Sequence, residues 1–176
     1  MNYRPEDIPW GEVGYATFKR TYSRPTKNRT EEWEETVDRV VEACNKQLGC
    51  DFTAREQEDV KDIMMNLKGT VAGRFLWQLG TKTVDKLGLP SLQNCAFTVV
   101  DQPVRPFTWA FEMLMLGSGV GYNIQREHVY QLPKVKKKVK VQHVDDHGAD
   151  FIVPDSREGW TELLKRVLEA SFFTGE

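Results

Sequence analysis

The sequence predicts an α/β fold, with helices first and alternating strand and helix after them. Three observations carry this. Apolar residues recur at helical spacing from Trp33 to Cys44, and again from Val60 to Leu67. The run Cys95 to Val100 is β-favouring, and Val120, Tyr122 and Ile124 alternate. Between those two runs, residues from Pro106 to Met115 return to helical spacing. Alternation of this kind belongs to an α/β layer or barrel. The visible strands are too few to close a barrel.

The first elements are the best marked. Glu31, Glu32, Glu34 and Glu35 crowd the start of the first long helix, where the helix dipole favours acids. Trp33, Val37, Val40, Val41 and Cys44 form its stripe, and Gly49 fits its end. Before it, Arg20 to Arg29 reads as a basic loop broken by proline. A second helix opens with a capping box from Thr53 to Glu56. Its stripe is Val60, Ile63, Met64 and Leu67, and Gly69 closes it. Gly73 to Pro90 has no clean period and reads as loop with one short helix.

Cys95 to Val100 reads as a buried strand. Pro106 suits the first turn of the helix that follows, which runs through Phe107, Ala110, Phe111, Leu114 and Met115. That helix stops at the glycines of LGSGVGYNI, and a second strand begins there. Val135, Val139 and Val141 interleave with Lys134, Lys136, Lys137, Lys138 and Lys140. An edge strand or hairpin explains this run, since edge lysines deter pairing with other chains. A phosphate-binding patch is the sharper alternative. The last helix has a cap at Asp155 with acidic Glu158 three residues on, and a stripe of Trp160, Leu163, Leu164, Val167 and Leu168.

Composition narrows the function. The chain has 176 residues, 40% hydrophobic and 28% charged, enough for a normal core. A net charge of -2 gives no bulk reason to bind nucleic acid or an anionic membrane. No apolar stretch approaches the roughly 20 residues needed to span a bilayer. The opening MNYRPEDIPWGEVGY lacks the apolar centre of a signal peptide, so a cytoplasmic location is expected. Cys44, Cys50 and Cys95 form no disulfide framework, and Cys44 and Cys50 do not have CxxC spacing. Cys44 continues an apolar stripe and reads as core. His143 to Gly148, HVDDHG, is a conceivable metal site, but a solvated turn is the preferred reading.

Gly117-Ser-Gly-Val-Gly121 invites a dinucleotide-binding reading. The order is wrong for it, because the glycines follow a helix and precede a strand. A helix cap followed by a strand entry fits better, as does a place where a ligand approaches bare backbone. Nothing near Cys95 in sequence marks an activated thiolate.

Read together, the motifs point further. GEVGYATFKRTYSR, EEWEETVDRVVEA, AGRFLWQLGT, QNCAF, PFTWAFEMLMLGSGVGYNI, QLPKV and VPDSREGW follow one another along the chain. The ordered set resembles the N-terminal part of adenosylcobalamin-dependent (class II) ribonucleotide reductases, above all the monomeric ribonucleoside-triphosphate reductases. The resemblance runs from about Gly11 to Trp160. It implies an N-terminal mainly helical region, residues 1–88. Residues 89–176 would then be the first part of an incomplete ten-stranded α/β barrel, with a Lys-rich hairpin.

The resemblance also implies roles. Cys95 matches a cysteine on the first barrel strand, one of two that deliver reducing equivalents by forming a disulfide. Thr81 and Asn94 match positions that contact substrate. Gly117, Gly119 and Gly121 match a loop that approaches the nucleotide by its backbone. Residues from about Pro103 to Leu114, and from Ile124 onward, match the region that binds a deoxynucleotide effector. The segment between Cys95 and Pro106 is shorter here, and Ser118 stands where many relatives have glycine.

The family's radical-bearing cysteine, its acid/base glutamate, its second redox cysteine and its cobalamin-binding surface belong to a C-terminal portion not matched here. Neither Cys44 nor Cys50 sits in a matching motif. Activity is therefore expected only with that C-terminal portion as partner. Adenosylcobalamin, a ribonucleoside triphosphate or diphosphate and a thioredoxin-like reductant complete the set. SFFTGE, so soon after the last apolar stripe, suggests a split or truncated chain. The alternative is a non-catalytic nucleotide-binding or regulatory module. A nucleic-acid-binding role for the lysine run is disfavoured by the acidic balance and the lack of interleaved aromatics.

Overall fold

Two capping boxes launch the long helices of the first half. In the computed structural model, which describes residues 8–11 and 13–176 (Asp146 by its backbone alone), Glu32 and Glu35 cap each other's amides at the start of α2, Trp33–Leu48. Thr53 and Glu56 do the same for α3, Ala54–Met65. Most of the opening stretch considered for a signal peptide lies outside the described residues. Gly49 closes α2 in the left-handed conformation, with φ 67°.

The closure of α3 differs from expectation. The helix ends at Met65, capped by Asn66, and Leu67 takes the left-handed position that Gly69 was expected to supply. The Lys68 amide then reaches back to the Ile63 carbonyl at 3.0 Å, which fixes the turn before Gly69 is reached. Met64 and Met65, rather than Ile63, are the buried residues of α3.

Residues up to Gln93 and Asn94–Glu176 form two compact units. The first contains a helix the sequence did not mark, α1, Gly14–Thr21, before α2 and α3. Gly73 to Pro90 is also more regular than expected. It folds as α4, Gly73–Gln78, and α5, Lys82–Leu87, followed by a 3-10 turn over Leu89–Leu92. The core of this unit joins Phe18, Trp33, Val37, Val40, Val41, Cys44, Met64, Leu76, Leu79, Val84 and Leu92. Trp10 stacks on Phe18 with ring centroids 5.6 Å apart and meets Trp33 edge-on at 5.2 Å.

A buried ion pair sets where α4 ends. Glu31 accepts from Arg39 Nε at 2.8 Å and Arg39 Nη2 at 2.9 Å, from the Thr36 hydroxyl at 2.8 Å and from the Arg24 amide at 3.2 Å. Arg39 also donates to the carbonyls of Leu76, at 2.9 Å, and Leu79. The guanidinium thus holds the last turn of α4 against α2. Gly80 follows at φ 78°, where an added Cβ would fall 2.5 Å from Arg39 Cγ. Only glycine fits that approach.

The second unit is built around a β-α-β element. Strand β1, Cys95–Val99, pairs in parallel with β2, Gly119–Asn123, and α6, Arg105–Met115, makes the crossover. These strands form one two-stranded sheet. The structure is a mixed helix and strand fold. Next come the single-turn helix α7, Arg126–Val129, and α8, Arg157–Glu169, which runs into a π-helical turn over Ala170–Thr174. Ser156, not Asp155, caps α8, accepting from the Gly159 amide at 3.0 Å. Gly159 fits because a Cβ there would fall 2.3 Å from the Pro154 carbonyl oxygen. Trp160 is half-exposed rather than part of a buried stripe.

The lysine run is not a strand or hairpin. Residues 134–141 have no partner strand, and all five lysines are exposed. The Lys136 and Lys140 amides instead donate to the carbonyls of Ser171 and Gly175, each at 2.8 Å. Those carbonyls take the bonds a second strand would have made. No helix among the described residues is long and apolar enough to cross a membrane.

Candidate functional site

Cys95 is the first residue of β1 and lies opposite Gly119 of β2. Side chains at paired positions of a parallel sheet share a face. Cys95 and Phe97 therefore share one face with Gly119 and Gly121, and all four are exposed. The other face is covered by α6, from which Phe107 reaches Tyr122 with ring centroids 6.4 Å apart. β1 is thus not the buried strand its sequence suggested. Phe97 is 63% exposed, because only one face of the sheet has a helix over it.

The glycine loop brings this about. Gly117 takes φ 85°, its amide donates to the Leu114 carbonyl at 2.8 Å, and the Ser118 amide donates to that of Met113 at 2.9 Å. These bonds end α6 as a cap and turn the chain into β2, the cap-and-strand reading of the sequence. The Gly119 amide then donates to the Asn94 carbonyl at 2.9 Å, fixing the start of β1 against the start of β2. With no side chain at Gly119, the space beside the Cys95 thiol stays open. Gly121 lies under Phe97, whose ring would be 3.1 Å from an added Cβ. Asn94, Cys95, Gly117, Gly119 and Gly121 thus belong to one small element, with a free thiol at its exposed end.

Thr81 belongs to the first unit. Its hydroxyl donates to the Gln78 carbonyl at 2.6 Å and accepts from the Thr83 amide at 3.3 Å, so it caps α5. Sequence reasoning missed Gln78 beside it. Gln78 is 8% exposed, and its side-chain oxygen has no partner among the described residues. A glutamine inside the apolar run FLWQLG is the one signal that could have singled it out.

Other candidate chemistry is thinner. Among the described residues no three His, Cys, Asp or Glu side chains gather to hold a metal ion. A cavity of about 280 Å³ lies at the other end of β1, lined by Phe97, Asp101, Arg105, Pro106 and Trp109 among others. A groove of about 420 Å³ between α2 and α3 is edged by Glu34, Asp38, Glu58 and Asp62. The first falls just under the usual range of ligand sites, about 300–1,000 Å³, and the second at its lower end, and neither has room for a corrin ring. The cavities described here do not fit adenosylcobalamin.

The molecule is thus an α/β chain that presents a cysteine at a strand start against a glycine-lined face. The comparisons give the family. A family model described as the ribonucleotide reductase alpha domain matches residues 1–81. An adenosylcobalamin-dependent ribonucleoside-triphosphate reductase of Lactobacillus acidophilus is 33% identical over 93% of this chain and 30% of its own length. One of the same name from Lactobacillus leichmannii is 30% identical over 93% of this chain and 29% of its own length. A crystal structure of a B-12 dependent (class II) ribonucleotide reductase superposes with a TM-score of 0.74 at 27% identity, covering 96% of this chain and 31% of that one.

The chain belongs to the ribonucleotide reductase family, as an N-terminal portion. It spans about 30% of the length of the curated relatives it matches. The alignment with the Lactobacillus acidophilus protein runs over 224 positions, more than the 176 residues here, so that relative carries residues with no counterpart in this chain.

Proposed function

We propose that this chain supplies the N-terminal portion of an adenosylcobalamin-dependent ribonucleoside-triphosphate reductase, with Cys95 as one of its two redox thiols. The observation that supports it most is the placement of Cys95: exposed, at the start of β1, opposite a glycine. A reacting thiol needs that access, and a structural one does not.

The chemistry balances with a dithiol. Replacing the ribose 2'-hydroxyl by hydrogen takes two electrons and two protons and releases water. Two thiols supply both and end as a disulfide, which an external dithiol of the thioredoxin kind then reduces. Cys95 is one partner. The second, with the radical chemistry for which adenosylcobalamin is the source, comes from the C-terminal portion. That portion also completes the ten-stranded barrel, of which β1 and β2 are the first strands. Gly117, Gly119 and Gly121 offer bare backbone to the nucleotide, and Asn94 lies at the same strand end. Thr81 acts in substrate binding through the α5 cap that it forms. The cavity by Arg105 and Trp109 belongs to the region the effector occupies.

The test is turnover of the complete reductase with Cys95→Ser. Turnover sustained by an external dithiol falls to background, while the variant still binds nucleotide. Unchanged multiple turnover refutes the redox assignment.

A further inference from the structure

A second pair of thiols lies in the first unit, away from any role described above. Cys44 is 8% exposed and belongs to the core, while Cys50 is exposed. Their sequence spacing gave no sign of a pair. The end of α2 makes them one. Gly49 turns left-handed, and the amides of both Gly49 and Cys50 donate back to the Cys44 carbonyl, the latter at 3.1 Å. A helix closed this way folds the residue after its glycine back over the last turn. That backbone bond keeps the two Cα atoms within about 7 Å, the outer limit for a disulfide.

The thiols themselves are neighbours. Burial, and then the Cys50 thiol beside it, push the Cys44 thiol above its ordinary range. The Cys50 strand of the turn is also held in place. Asn45 clasps Phe52, donating to its carbonyl at 2.9 Å and accepting from its amide at 2.8 Å, and Gln57 donates to the same carbonyl at 3.2 Å. Cys50 is therefore fixed between the end of α2 and the cap of α3.

We infer that Cys44 and Cys50 form a thiol-oxidation site, joined by an intramolecular disulfide when the protein meets a peroxide. The Cys50 sulfur attacks the peroxide oxygen, breaks the O–O bond and becomes a sulfenic acid, and the first water leaves. The Cys44 sulfur then attacks that sulfur and displaces its hydroxyl, which takes the Cys44 proton and leaves as the second water. Two thiols and one hydrogen peroxide give one disulfide and two waters. The exposed thiol meets the oxidant, and the buried neighbour closes the bond before the sulfenic acid oxidises further. The site does not include Cys95 and requires nothing of the reductase reaction.

The test uses the full chain and hydrogen peroxide. Trypsin cuts after Arg39, Lys46 and Arg55, so the two cysteines fall in separate peptides, Val40–Lys46 and Gln47–Arg55. Treated protein, alkylated and digested without reductant, should yield these two peptides joined, two hydrogens lighter than their sum. Dithiothreitol should separate them. The joined pair should form equally in Cys95→Ser and exceed sulfinic acid at Cys50 by about tenfold or more. In Cys44→Ser, Cys50 should instead advance to sulfinic acid. Sulfinic acid at Cys50 as the main wild-type product, a bond from Cys50 to Cys95, or free thiols after the peroxide is consumed would each overturn the inference.

Discussion

The two units of this chain treat their apolar residues in opposite ways. In the first, the large side chains of α2 close on those of α3, α4 and α5, and Val37, Val40, Val41 and Leu79 are fully buried. In the second, Phe97, Tyr122, Ile124, Tyr130 and Trp160 are each at least two-fifths exposed, and one face of the β1–β2 sheet has no cover within its own unit. The first unit spends its polar chemistry on itself: Glu31 and Arg39 satisfy each other and the carbonyls of α4. The second presents a cysteine and three glycines outward. A closed core reports on folding, and an open face with a thiol on it reports on chemistry.

The largest effect expected from breaking this contrast is at Arg39. Arg39→Ala leaves the Glu31 carboxylate buried without its cation and leaves the carbonyls of Leu76 and Leu79 without their donor. Both charged side chains are nearly buried, at 13% and 10% exposure. Removing one partner of such a pair costs about 3–5 kcal/mol. Urea unfolding followed by tryptophan fluorescence should show the loss. A shift below about 1 kcal/mol, the worth of an exposed pair, would mean the pair is wetter than its geometry says.

A smaller loss is expected from Val40→Ala, a deletion of methyl groups at a position with 0% exposure. It should cost about 2 kcal/mol, between the Ile→Val and Leu→Ala ranges. The same kind of truncation in the second unit gives the contrast. Phe97→Ala removes a far larger side chain, yet in this chain it should cost no more than about 0.5 kcal/mol. Equal losses at the two sites would show that the sheet face is covered after all.

Much of this was legible before the structure. The starts of α2 and α3 are written in short acidic and hydroxyl patterns that act within one turn. The order β1, α6, β2 follows from period changes and from where glycine falls. The motifs around Cys95 located the thiol, but local hydrophobicity misjudged its strand. Ala96, Phe97, Val99 and Val100 look like a buried run, and nothing in five residues says which face lacks a neighbour. Helices α4 and α5, of six residues each, are too short to show a period and are held by tertiary bonds such as those of Arg39. The lysine run failed for the same reason, since its hydrogen bonds go to carbonyls more than thirty residues away. The pairing of Cys44 with Cys50 depends on the left-handed turn at Gly49, which spacing alone does not encode.

Acid offers the finest test of the first unit. Burial raises the Glu31 carboxyl, but hydrogen bonds from Arg39 and Thr36 and the Arg39 charge outweigh it, and the net direction is down. Glu35 is lowered further, to about 2, chiefly by its bond to Arg29. A carboxyl lowered on folding adds stability above its unfolded value, near 4.3 for glutamate. That stability is lost as pH falls through the lowered folded value. The chain should therefore weaken on the acid side of pH 4. In Arg39→Met the bonds and charge of Arg39 are gone, while burial and the bonds from Thr36 and the Arg24 amide remain, so the Glu31 carboxyl is lowered less than in the parent. Protonation of Glu31 then costs the variant less than it costs the parent. The gap in urea midpoint between parent and Arg39→Met should be widest near neutrality and narrow as pH falls through the glutamate range. Titration of Glu32 and Glu35 is common to both chains and cancels in the difference. A gap constant from pH 7 to pH 3 would mean that Arg39 stabilises the unit through its bonds to Leu76 and Leu79 rather than through the charge of Glu31.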